Sequence, residues 1–96
     1  MQVSEMQRVL RDTYIERDTQ RGSDATFRWL TEEVGELAKA LRGRDDAELE
    51  HEFSDVLAWL MSLANLTGVD LEQAMGRYAR GCPRCGSLPC GCPFVR

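Results

Sequence analysis

Residues 31–41 read TEEVGELAKAL, and residues 50–60 read EHEFSDVLAWL. In the first stretch Val34, Leu37, Ala38 and Leu41 recur at helical spacing. Glu32, Glu33 and Glu36 lie within an arc of about 100° on the side away from Val34, and only Lys39 is near enough to balance them. In the second, Asp55 stands inside a run that is otherwise almost wholly apolar, and Glu48, Glu52 and Asp55 are spaced four and three apart on one face. Between the two lies RGRDD, residues 42–46, a short turn. Two amphipathic segments joined this tightly form an antiparallel helical hairpin, and the class is all-α.

The hairpin has a register. With the turn centred near Arg44, residues whose numbers add to about 88 stand level across the pair. Glu33 then faces Asp55 and Glu36 faces Glu52, so four carboxylates converge. Such a cluster repels itself by several kcal/mol at intermediate dielectric and needs cations or shifted pKa values. Hard oxygen donors in this number suit Mg²⁺ or Mn²⁺. A buried Asp55 without a partner would be costly, whereas Asp45, Asp46 and Glu50 read as solvated. His51 beside Glu52 is either a metal ligand or a solvated or hydrogen-bonded side chain, the latter preferred. Asn65 either bonds a substrate or bridges helices. The same register sets Trp29 level with Trp59, about 6 Å along the axis from the acids.

Around the hairpin, the pattern predicts a first helix from about Ser4 to Asp18 and a second from about Ala25 to Leu41, capped by Ser23 or Asp24. The second helix carries Phe27, Leu30, Val34, Leu37, Ala38 and Leu41 as its apolar stripe. A third runs from about Ala47 to Thr67, capped by Asp45 or Asp46 and ended by Gly68; a fourth, capped by Asp70, reaches about Arg80. No strand-like alternation or internal repeat appears. The expected architecture is a four-helix bundle over residues 1–80 with a tail over 81–96. All three prolines, Pro83, Pro89 and Pro93, lie in that tail. The third helix is apolar nearly all round from Phe53 to Leu66, more than a small chain can cover alone, so a homodimer or homotetramer is expected.

The composition agrees with one folded domain: 96 residues, 43% hydrophobic and 29% charged, within the globular range. A net charge of -4 argues against nucleic acid as the main partner. Charges every few residues in MQVSEMQRVLRD exclude a signal peptide. The longest apolar-rich stretch, Val56 to Leu66, is too short to span a bilayer. The reading is a cytoplasmic protein without a membrane partner. Cys82, Cys85, Cys90 and Cys92 fall within eleven residues; in a reducing compartment they read as a structural Zn²⁺ site ahead of disulfides or free thiols.

The acids carry a resemblance. Two adjacent glutamates, a third three residues on and a later Glu-x-x-Asp, here Glu32, Glu33, Glu36, Glu52 and Asp55, resemble the MazG-like family of all-α nucleotide pyrophosphohydrolases. The flanking EEVGELAKAL and EFSDVLAWLMSLANLTGVDLEQAM extend the likeness over about residues 25–80. The resemblance implies hydrolysis of a nucleoside triphosphate to the monophosphate and pyrophosphate with Mg²⁺. It implies metal ligation by Glu33, Glu36, Glu52 and Asp55, and orientation or deprotonation of water by Glu32 or Glu36. Lys39 either contacts phosphate or pairs with Glu36. Where the family often carries a lysine near the end of the fourth helix, this chain has Arg77. Trp29 and Trp59 are then either packing residues or a stacking surface for the nucleotide. The alternatives are phosphoribosyl-ATP hydrolysis on a similar fold, or a non-catalytic zinc-tailed interaction module.

Overall fold

The computed structural model describes residues 1–93. Among them the chain forms helices α1 (Val3–Arg21), α2 (Ser23–Gly43), α3 (Asp46–Thr67) and α4 (Leu71–Met75), then a 3₁₀ turn over Gly76–Tyr78, with no strand. The all-α bundle and its hairpin are as expected.

Local chemistry sets each junction. The α2–α3 connection is two residues long, Arg44 and Asp45. Arg44 takes a left-handed conformation (φ 56°) to close α2, and the Asp45 carboxylate accepts from the N–H groups of Ala47 and Glu48 to open α3, satisfying two donors that have no partner within the helix. Gly68 (φ 74°) ends α3, and Asp70 caps α4 through the Gln73 N–H.

Three boundaries differ from the sequence reading. The first helix runs on to Arg21 rather than ending near Asp18. No side chain caps α2: α1 and α2 are separated by Gly22 alone, whose φ of 85° makes the turn. Ser23 is already helical and has no extended backbone from which to cap. The fourth helix stops as α at Met75 rather than near Arg80. It meets Gly76, a weak helix former, and residues 72–80 are all exposed, so no packing prolongs it.

α3 is the central element, packed against α2 on one side and α1 on the other. The core is thin: Leu10, Ala40, Met61 and Ala64, with Thr26 fully buried among them. Gln7, buried on α1, ties three elements together. Its amide N–H donates to Asn65 Oδ1 (3.1 Å) and Val69 O (2.7 Å), and its Oε1 accepts from Leu71 N–H (3.0 Å). Asn65 Nδ2 donates back to Gln7 O, so Asn65 bridges helices.

The apolar stripe read for α2 is not one core face. Phe27, Val34 and Leu41 stay exposed, Phe27 by 58%, while Thr26 and Ala40 are buried and Leu30, Glu33 and Leu37 half-buried. Phe53, Leu57 and Leu60 on α3 are exposed too. From Glu33, Val34 lies about 100° one way around α2 and Glu36 about 60° the other. The hairpin thus presents acids on one flank and uncovered apolar side chains on the opposite one. Among the described residues no helix is long and apolar enough to cross a membrane.

Candidate functional site

The site is assembled by the hairpin and completed by α1. Trp29 and Trp59 stack with ring centroids 5.9 Å apart, direct evidence that the register centred on the Arg44 turn is the one adopted. With that register Glu33, Glu36, Glu52 and Asp55 stand on facing surfaces of α2 and α3. Burial raises the Glu33 carboxyl above its ordinary value, and the negative charges of Asp55, Glu52, Glu36 and Glu32 push it further the same way. Neutralising one carboxyl relieves that crowding; a cation does the same for all.

On α3 the neighbourhood is tighter. His51, Glu52 and Asp55 each offer a donor atom within 4.8 Å of the others, and His51 Nε2 lies 3.2 Å from Asp55 Oδ2. His51, the less favoured ligand in the sequence, is therefore Asp55's immediate neighbour. Glu52 Oε2 is buried and has no hydrogen-bond partner. An orphaned carboxylate oxygen beside a repelling cluster is costly unless something positive meets it. The group of His51, Glu52 and Asp55 offers a cation two carboxylates and one imidazole nitrogen, and Glu33 and Glu36 fall outside it.

Glu32 is exposed and borders a shallow groove with Ala25, Arg28 and Trp29. Lys39 is exposed and forms no ion pair with Glu36 among the described residues. Trp59 is half-buried and Trp29 about half-exposed, at 48%, so neither ring is sealed inside the core.

What the sequence did not reveal is the contribution of α1. A cavity of about 250 Å³ opens between α1 and α3, and Asp55 and Trp59 share its lining with Tyr14, Arg17, Asp18 and Arg21. The Arg21 guanidinium sits 4.7 Å from the Trp59 ring centroid, a cation–π distance. Arg21 Nη1 donates to Asp18 Oδ1 at 2.9 Å and to Thr26 Oγ1 at 3.3 Å. Asp18 is only 2% exposed, so this pair is internal and fixes the arginine over the indole. The spacing of Tyr14, Arg17, Asp18 and Arg21, at i, i+3, i+4 and i+7, is a polar stripe that announces a shared face.

At the other end of the chain the Sγ atoms of Cys82, Cys85, Cys90 and Cys92 all lie within 4.8 Å of one another. The Gly91 and Ser87 N–H groups pull the Cys85 thiol down to about 6. The Cys85 and Arg84 N–H groups lower Cys82. Hydrogen bonding with Cys90 and Cys82 pushes Cys92 up to about 12. Some of the sulfurs favour the thiolate while their neighbour resists it.

Fold and site together define an all-α protein organised around an acidic helical hairpin flanked by stacked indoles. The MazG nucleotide pyrophosphohydrolase domain matches residues 21–83, and the chain belongs to that family, whose members typically depend on a divalent metal. A comparison with curated proteins returns no match. The family match begins at the last residue of α1, so nearly all of α1 lies outside it.

Proposed function

We propose that the chain is a Mg²⁺-dependent nucleoside triphosphate pyrophosphohydrolase, with Mn²⁺ able to replace Mg²⁺. The observation that carries this reading is the orphaned Glu52 Oε2 beside Asp55, opposite a Glu33 carboxyl raised by burial and by its acidic neighbours. Glu33, Glu36, Glu52 and Asp55 would hold the metal, which would supply positive charge to offset the negative charge that develops as the α-phosphoryl group is transferred.

The protein's own groups do the rest. Glu32, with Glu36 as the other candidate, orients a water molecule and accepts its proton. The water oxygen bonds to the α-phosphorus, the bond to the α–β bridging oxygen breaks, and pyrophosphate leaves with that oxygen. Trp29 and Trp59 offer a face for the base or sugar, and Lys39 meets phosphate from the solvent side. Arg17 and Arg21 supply positive charge on the α1 side of the same cavity.

Residues 1–80 act as the catalytic unit and residues 81–96 as an appended tail, of which 94–96 lie outside the described residues. The uncovered flank carrying Phe27, Val34, Leu41, Phe53, Leu57 and Leu60 fits a second copy of the chain and supports a homodimer. Sedimentation of the wild type against Leu57→Glu tests this; equal masses would oppose it.

A pyrophosphate-release panel over canonical and modified nucleoside triphosphates, with and without Mg²⁺, tests the activity. Release of pyrophosphate and monophosphate in equal amounts, only with the metal, is expected. Orthophosphate as the sole product, or no turnover of any triphosphate, would refute it.

A further inference from the structure

The tail takes no part in the acid site. Residues 81–93 form neither helix nor strand, and beyond Gly81, Cys82 and Cys92 all of them are exposed. No apolar core holds this segment, yet its backbone is closely specified. Gly86 N–H donates to Cys82 O at 2.7 Å, and Cys82 N–H donates to Ser87 O at 2.9 Å, closing a loop around Cys82 and Cys85. Gly81 enters it at φ 110°, and a Cβ there would meet Ser87 O at 2.6 Å.

The four sulfurs converge, all within 4.8 Å of one another. Cys82 and Cys92 Sγ stand 3.8 Å apart, far beyond a disulfide bond of about 2.05 Å. With a Zn–S distance of about 2.3 Å, adjacent sulfurs of a ZnS₄ tetrahedron are separated by about 3.8 Å. Further amides point at sulfur: Gly91 N–H to Cys85 Sγ at 3.3 Å and Cys92 N–H to Cys90 Sγ at 3.4 Å. Donors in that outer position orient metal-bound thiolates and hold their charge.

We propose that Cys82, Cys85, Cys90 and Cys92 bind Zn²⁺ in a closed structural site that folds the tail. The site is chemically separate from the acid hairpin. Soft thiolates select Zn²⁺ over Mg²⁺, whereas carboxylates suit Mg²⁺ or Mn²⁺, so the two sites differ in ligand type. With four protein ligands no position stays open for substrate, and the zinc takes no part in hydrolysis. Each thiol gives up its proton as the metal binds.

The test uses the full chain, purified under reducing conditions without chelator, and needs no nucleotide. Metal analysis should find about one zinc per chain. Cobalt(II) added to the zinc-depleted protein should give the visible bands of tetrahedral thiolate coordination. Cys90→Ser should weaken zinc binding by at least about tenfold, and Gly81→Ala should weaken it through the backbone alone. Glu36→Gln should keep its zinc. Iron in place of zinc, refusal of cobalt by the reduced wild type, or disulfides among the four cysteines would each overturn the proposal.

Discussion

The indole of Trp59 lies 16° from parallel with that of Trp29 across the hairpin. The pair therefore measures, in side-chain terms, how α2 and α3 are aligned. If this surface receives a nucleotide, Trp29→Ala should raise KM roughly tenfold, within the range of base stacking on an aromatic ring, before it lowers Tm. Wild-type tryptophan fluorescence should be quenched by a non-hydrolysable nucleotide with Mg²⁺. An unchanged KM in the variant would assign the pair to packing alone.

Removing a metal-holding carboxylate should separate activity from folding. Glu36→Gln and Asp55→Asn are each expected to lower pyrophosphate release by about 100-fold or more with helical circular dichroism intact. Because each relieves repulsion around Glu33, the metal-free variants should melt at or above the wild type. Full activity in both would remove these residues from the site.

The raised Glu33 carboxyl sets a direction for pH dependence. A carboxyl whose pKa is higher in the folded chain than its ordinary 4.5 binds its proton more tightly when folded. Its ionised form thus destabilises the fold at neutral pH, and that penalty fades as pH falls through the raised value toward 4.5. In metal-free protein, the stability gap between wild type and Glu33→Gln should narrow on acidification, as measured by urea unfolding. Saturating Mg²⁺ should flatten the dependence, since a bound cation offsets the repulsion. A gap that does not change with pH would count against crowding at Glu33.

Arg21 is the internal partner of Asp18, and its loss leaves a carboxylate almost fully buried without a cation. Arg21→Ala should cost about 3 kcal/mol or more, whereas Arg11→Ala, whose pair with Asp12 is exposed, should cost about 1 kcal/mol or less. Chemical denaturation of the two variants provides the comparison.

Much of this molecule was legible because hairpins obey simple counting. The Asp45 cap, the Gly68 stop and the level pairing of Trp29 with Trp59 follow from spacing and turn length. The core face of α2 did not. Its most apolar side chains, Phe27, Val34 and Leu41, lie on an uncovered flank, while the packed face uses Thr26 and Ala40 with Glu33 between them. Hydrophobicity alone ranks those the wrong way, because an apolar flank waiting for a partner looks the same as a core in one dimension. The cavity beside Asp55 escaped for a related reason: α1 reaches it through Tyr14, Arg17, Asp18 and Arg21, polar residues that score as surface until the docking of α1 on α3 is known. The fourth helix was overextended because capping at Asp70 marks a start and says nothing about how far packing will sustain it.

The two-residue link of Arg44 and Asp45 has a consequence for how this chain can change over evolutionary time. One residue added there would change the turn that aligns α3 against α2, and with it the approach of Glu52 and Asp55 to Glu33 and Glu36. A length change at the link therefore disturbs the acid pairing more than a substitution there that keeps the turn. Additions beyond Arg80 leave that alignment untouched, so a tail such as residues 81–96 can be carried without disturbing the hairpin.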